Sequence, residues 1–406
     1  MQSSRTAALA SPSPDAAVLQ AQRNAWLALS LVSGLGPITL RRAVDSAFGV
    51  IGAMRLSHAG WGEVDGIGSH RAAQIIRDLP RAQREAEQIL ARCDALNAAI
   101  LTLDDPHYPA AMRDLADAPC VLYTRGTLQP RDLNAVGIVG SRKCSLYGRE
   151  QAARFASLLA GAGVTVISGG ARGVDSAAHE GAMRMPEGRT IAVLGCGVDI
   201  AYPPENAELF QRIAAAGAIV SHYPPGTPPQ QRHFPERNRV ISALSRGILV
   251  IEADERSGSL ITARIAAEDH GRPVMALPGR IDNPLATGPH NLIRDGATLT
   301  TNLEDLLSAL GPLPDSAYTP PKHSAAHPLI APKSPPAEPD APATLFPATP
   351  TQQQILTALQ SHQEAAVDTL IEATRLPAAT VLSDLTLLTL KGAIKRVDAQ
   401  TFRIAR

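Results

Sequence analysis

A series of short, uninterrupted apolar runs, most of them separated by helical stretches, constrains this chain more than any other feature. Residues 135–139 read as a buried strand, and a helix follows through 155–159. Residues 164–167 form the next apolar run, and 176–184 the next helical stretch. Runs at 191–194, 218–221, 248–251 and 274–277 continue the series. Segments with no polar interruption suit parallel strands covered on both faces. The alternation therefore predicts an α/β fold with a doubly wound, mostly parallel sheet. Ligands of such sheets bind beyond the carboxyl ends of the strands, where the strand order reverses.

The chain has 406 residues, more than one such sheet needs. Its early part is helical in pattern: Trp26, Leu27, Leu29, Leu31 and Val32 form an apolar helix that stops at Gly34. Gly34-Leu35-Gly36 and Gly66-Ile67-Gly68 each lie between helical stretches. Such Gly-hydrophobic-Gly turns occur in helix-hairpin-helix modules, and a plain turn ended by glycine is the simpler account. From 311 to 350 proline, alanine and serine dominate, which marks an extended linker. Helical stretches at 352–359, 366–374 and 378–390 follow, then β-like runs at 394–397 and 401–404. That order describes a winged helix whose third helix is in the recognition position. A small packing module that touches no DNA is the alternative. The expected organisation is a tail at 1–17, a helical domain at 18–92, the α/β domain at 93–310, the linker at 311–350 and the winged helix at 351–406.

Composition limits the partners. Lysine plus arginine number 38, as do aspartate plus glutamate, so binding of nucleic acid requires a local basic patch. Aromatic residues are only 3%, which disfavours a single-strand site built on rows of exposed rings. Cys93, Cys120, Cys144 and Cys196 lie far apart, against a zinc ribbon or a disulfide framework. No stretch reaches the ~18 apolar residues of a membrane span, and the first residues lack a signal-like apolar run. A cytoplasmic protein is the expectation.

The strand ends carry the chemistry. Gly140-Ser141-Arg142-Lys143 follows the first run of the alternation, and Ser168-Gly169-Gly170-Ala171-Arg172-Gly173-Val174-Asp175 follows the second. Gly195-Cys196-Gly197 ends the third, Glu252 then Ser257-Gly258-Ser259 follow the fifth, and Pro278-Gly279-Arg280 follows the sixth. Small residues let a ligand approach the backbone, and cations beside free N–H groups suit phosphate. Turn geometry and helix packing explain any single glycine equally well. The segment 231–239 adds Arg232, His233, Phe234, Arg237, Asn238 and Arg239. Arginine forks suit phosphate, and one phenylalanine can stack on a base. Arg237 or Arg239 buried against a carboxylate such as Glu252 or Asp175 is the competing reading. Asp175 and His179 could share a helical face as an acid–base pair. However, no GxSxG, HExxH or Walker A sequence accompanies them, and a structural role is the better reading.

These residues, taken together, resemble the DNA processing protein A family (DprA, also called Smf). The resemblance is carried by Tyr108-Pro109, by 119–126 (PCVLYTRG), by Val139 through Arg142 and by Tyr147-Gly148. It continues with Ser168 through Asp175, Ala178-His179, Tyr202-Pro203 and Phe234 through Arg239. Ser257 through Leu260, Thr262-Ala263, Pro278-Gly279 and Gly296-Ala297 complete it. It implies an extended Rossmann-like fold, single-stranded DNA as ligand, homodimerisation and loading of the RecA recombinase during natural transformation, with no catalytic turnover and no cofactor or metal. It maps Gly140, Ser141 and Arg142, with Lys143 beside them, to a phosphate contact. Phe234 becomes the base contact, with Arg237, Asn238 and Arg239. Ser168, Gly169, Gly170, Arg172, Ser257 and Gly258 belong to the same expected DNA site. One departure stands out: Ser221 is followed by His222 where the family usually has glutamate, and His222 is expected to add positive charge below its pKa. A nucleotide-cleaving phosphoribohydrolase is the enzymatic alternative, but its PGGxGTxxE hallmark is missing. A transcription factor reading duplex DNA through the winged helix is the third reading.

Overall fold

The computed structural model describes residues 14–312, 349–362, 364–390, 393–397 and 401–404. The chain divides into two compact units, one ending at Thr319 and one beginning at Pro320. Most of the expected linker lies outside the described residues.

The first unit is built on nine strands: β1 (Ala99–Thr102), β2 (Val121–Gly126), β3 (Ala135–Val139), β4 (Thr165–Ser168), β5 (Thr190–Val193), β6 (Ala218–Ser221), β7 (Gly247–Val250), β8 (Val274–Ala276) and β9 (Thr298–Leu299). They form one sheet in the order β1-β2-β6-β5-β4-β3-β7-β8-β9. All six apolar runs of the sequence are strands of this sheet. They are parallel and buried along their whole length, which is why they are almost wholly apolar, with Thr165 and Ser221 buried as the exceptions. From β3 the chain winds outward through β4, β5 and β6, then returns to place β7 on the other side of β3. The strand order therefore reverses between β3 and β7. The two strands β1 and β2 extend the sheet antiparallel along β6.

Helices Pro14–Ser30, Pro37–Ser46, His58–Glu63 and Ser69–Ala95 precede the sheet. The first begins inside the expected tail, and Pro14 suits a first helical turn because its missing N–H would have no helical partner. Trp26 and Trp61 are buried, and the Trp26 indole donates to Asp104 Oδ2 at 2.7 Å, just beyond β1. One continuous apolar core joins these helices to the sheet.

The second unit has helices Pro350–His362, Val367–Thr374 and Ala378–Leu390. Strands β10 (Glu364–Ala366), β11 (Ile394–Arg396) and β12 (Thr401–Ile404) form an antiparallel sheet in the order β10-β12-β11. The hairpin runs were legible, but β10 was not: Ala366 ends that strand and does not open the helix. Ile355, Leu359, Leu370, Val381, Leu385 and Phe402 close a separate core. Among the described residues no helix is long and apolar enough to cross a membrane.

Candidate nucleic-acid interface

The reversal between β3 and β7 opens a crevice of about 600 Å³ at the carboxyl end of the sheet. One wall is the loop after β3. Its shape is set by Glu252, a buried carboxylate just past β7. Ser145 donates its backbone N–H to Glu252 Oε2 at 2.8 Å and its hydroxyl to Oε1 at 2.7 Å. Asn283 Nδ2 adds a third bond to Oε1 at 3.2 Å. Ser145 is also the N-cap of helix Leu146–Gly161, accepting from Gly148 N. Gly148 is required there because any Cβ would overlap the Glu252 carboxylate. Ser141 N donates to Glu252 O at 2.6 Å, and Ser141 Oγ accepts from Lys143 N. The loop is thus held from behind, and Arg142 and Lys143 stay exposed.

The opposite wall begins with helix His233–Leu244. Its half-buried Phe234 faces the Arg142 guanidinium, with Cζ 4.9 Å from the ring centroid. That is within the range of a cation–π contact. On its other side Phe234 meets Tyr202 with ring centroids 5.7 Å apart. Helix Gly258–Arg264 completes the wall and presents Ser257 and Gly258. A cation, an aromatic ring and open backbone groups in one crevice suit an unpaired nucleotide: phosphate at the cation, base at the ring.

Beneath the ring lies Arg237, only 4% exposed. It donates to the carbonyls of Gly169 and Val193, the latter at 2.8 Å, and its Nε has no partner among the described residues. Burial lowers its pKa, and the neighbouring Asp175 opposes that shift. The reverse holds for Asp175: burial raises its carboxyl above the usual range, and Arg237 and the Ala171 N–H pull it back.

A family model described as "DNA recombination-mediator protein A" matches residues 99–311, and one for the "DprA winged helix domain" matches 335–400. The chain belongs to the DNA recombination-mediator protein A family. It is 40% identical over 293 residues to Protein Smf of Synechocystis, covering 71% of this chain and 73% of that one. To DNA processing protein DprA of Streptococcus pneumoniae it is 42% identical over 204 residues, 50% of this chain and 71% of the relative. The X-ray structure of the S. pneumoniae protein aligns with a TM-score of 0.61 at 33% identity, covering 70% of this chain and 97% of that one.

Within this recombination-mediator framework the expected residues separate by position. Gly140, Ser141, Arg142, Lys143, Phe234, Arg237, Asn238, Ser257 and Gly258 all line the crevice. Gly169 and Arg172 line smaller clefts beside it. Ser168, Gly170 and Arg239 point elsewhere. The Ser168 hydroxyl is buried and donates to Ile138 O at 2.6 Å. Gly170 faces the Phe210 ring and Leu194. Arg239 pairs with Asp117 and with Asp269, so it meets neither carboxylate considered for it. Arg256 lines the crevice without having been singled out, although it lies in the same strand-end stretch as Ser257.

One further expectation changes, and one weaker alternative finds no support. His222 is largely buried, which lowers its pKa, and its ring lies tilted against Tyr223 with centroids 4.0 Å apart. Its Nε2 is 3.9 Å from Glu236 Oε2, and Tyr223 donates its hydroxyl to the same carboxylate. A carboxylate therefore sits beside the position where the resemblance leads one to expect glutamate, and burial works against a positive His222. His179 is fully buried and shares a hydrogen bond of 2.7 Å with Thr190 Oγ1, and among the described residues its side chain makes no hydrogen bond or ion pair with Asp175. The acid–base pair, the weaker of the two sequence readings, is not formed. No group of three or more His, Cys, Asp or Glu that could hold a metal occurs among the described residues.

Proposed function

We propose that this chain binds single-stranded DNA in the crevice between β3 and β7, protects the strand and loads RecA onto it during recombination. The carrying observation is the Arg142–Phe234 pair at the crevice wall. A base can reach such a ring only when it is unpaired, so the arrangement selects single strands over duplex. Arg142 and Lys143 bind phosphate, Phe234 takes the base, and Asn238, Ser257 and Gly258 contact the backbone. Arg237 works differently from its neighbours. It is a buried strut that neutralises Asp175 and supports Phe234 from below. The family membership favours a recombination role. RecA loading, homodimerisation, a part in natural transformation and a cytoplasmic setting extend the resemblance to relatives.

Fluorescence anisotropy of a labelled oligonucleotide tests the reading. Single and double strands are compared across a salt series for wild type and Arg142→Ala. Salt-sensitive preference for single strands, reduced in the variant, is expected. Equal binding of duplex, or an indifferent variant, would remove the crevice from the site. RecA filament assembly on coated strands is then the assay for loading.

A further inference from the structure

Arg142 borders the crevice and both smaller clefts beside it, and it stands as a wall between the crevice and the larger of the two. On one side is the crevice between β3 and β7. On the other is a second cleft of about 310 Å³, lined by Arg142, Arg149, Arg172, Ser176 and Glu180. Arg149 belongs to none of the motifs that carry the family resemblance. It stands on helix Leu146–Gly161, one residue past the Gly148 that faces Glu252. Its side chain is exposed and lies beside the Cys144 thiol, and no carboxylate pairs with it among the described residues. Arg172 is half-exposed and tied to Glu205 at the surface.

The partition between the clefts is rigid. Gly173 has φ +78, and any Cβ on it would overlap Ser141 O. The loop after β4 thus packs directly under the loop after β3, and Val174 N donates to Ser141 O at 3.3 Å. On the floor of the second cleft Ser176 and Asn206 are already bonded to each other and to the Ala171 and Gly170 carbonyls. Its remaining polar groups are the guanidinium groups and the Glu180 carboxylate. Such a lining suits phosphate oxygens and offers no ring for a base.

We propose that the second cleft holds the phosphodiester backbone of the same strand as it leaves the first crevice over Arg142, with Arg149 as its principal phosphate contact. This rests on the reading of the first crevice as the single-strand site. Arg172 contributes once phosphate displaces Glu205, and Glu180 limits the affinity by like-charge repulsion.

The test compares wild type, Arg149→Ala, Arg149→Lys, Glu180→Gln and Arg142→Ala. Each binds labelled oligonucleotides of about four and about sixteen bases, spanning the usual site sizes. Arg149→Ala should weaken the longer strand about tenfold, as loss of one charged hydrogen bond does. Its salt slope should fall by about 0.7. The four-base strand should be little affected. Arg149→Lys should restore much of the slope, and Glu180→Gln should tighten the longer strand. Unchanged binding by Arg149→Ala, with Arg142→Ala defective, would overturn the second cleft and leave the first intact. Equal losses on both lengths would place Arg149 behind Arg142 and also overturn it. If neither variant matters, the first crevice fails and the second with it. Circular dichroism confirms that each variant is folded.

Discussion

The Arg142 guanidinium carbon sits 4.9 Å from the centroid of the Phe234 ring, which joins a cationic loop to an aromatic helix start across the crevice. The two groups should act together on DNA. Arg142→Ala should lose ~1–3 kcal/mol of single-strand affinity and lower the salt slope by about 0.7. Phe234→Ala should lose ~1–3 kcal/mol with the slope nearly unchanged, since stacking releases no counterion. The double variant should lose less than the sum, because the ring also positions the guanidinium. Anisotropy titrations of the four proteins measure this coupling, and strict additivity would argue that the contact has no role in binding.

Two glycines, Gly148 behind the crevice wall and Gly258 lining it, should separate folding from binding. A Cβ on Gly148 has no room beside the Glu252 carboxylate. Gly148→Ala should therefore push Glu252 off Ser145 and cost ~1–3 kcal/mol of stability, as overpacking does. Gly258 has nothing within 4 Å of a built Cβ and opens a helix. Alanine there should keep or slightly raise stability, by up to ~1 kcal/mol, because it removes backbone freedom from the unfolded chain. It also narrows the crevice, so affinity should drop. Urea unfolding and anisotropy on both variants check this, and a Gly258→Ala protein with full affinity would take that residue off the DNA path.

The parallel strands were legible because burial on both faces leaves an uninterrupted apolar run, as in Ala135–Val139 and Gly247–Val250. The loops that line the crevice were legible because strand ends in this fold class are small and polar where a ligand can approach. Strands β1 and β2 were not distinguished, since Ile100 and Leu122 lie in short segments with only the four-residue helix Ala110–Arg113 between them, too brief to reveal a βαβ period. The segment 231–239 shows why side-chain roles were harder. Residues 237, 238 and 239 are consecutive, but a helical turn points them three ways. Arg237 goes into the core, Asn238 to the crevice, and Arg239 to Asp117 and Asp269. No spacing rule in the sequence distinguishes the buried arginine from the exposed one. Arg149 escaped notice for a related reason: its cleft lies between two helices.

Removing the second unit should leave the crevice working. Each unit has its own core, and helix Ala378–Leu390 contains neither lysine nor arginine. A recognition helix without cations is poorly suited to phosphate-rich duplex. A chain ending at residue 312 should bind single strands within about twofold of the full chain, a difference of ~0.4 kcal/mol. Loss of binding on truncation would restore the winged helix as the main DNA reader.

Acid should destabilise the first unit before it reaches the ordinary carboxylate range. Thr190 donates its hydroxyl to Val166 O, so it accepts from His179 Nδ1–H. His179 Nε2 is then the unprotonated nitrogen, buried with no partner among the described residues. Burial, with the Arg237 charge nearby, lowers the His179 pKa from 6.5 to about 3. The folded state therefore binds this proton less readily than the unfolded chain. The stabilisation is complete above pH 6.5 and is lost as pH falls from there toward about 3, at up to ~1.4 kcal/mol per pH unit. Glu236, lowered to about 2, acts in the same direction below its ordinary 4.5. Asp175 has the opposite sign, since its raised carboxyl gains a proton more readily when folded. Urea midpoints between the ordinary histidine pKa of about 6.5 and about 4.5 leave out Glu236, which titrates below that window; His222 and His270, also lowered by burial, share the window, so the difference between wild type and a His179 variant carries the assignment. His179→Asn should be less stable at neutral pH but should flatten the slope there. If the variant retains the wild-type slope, another group carries the acid sensitivity.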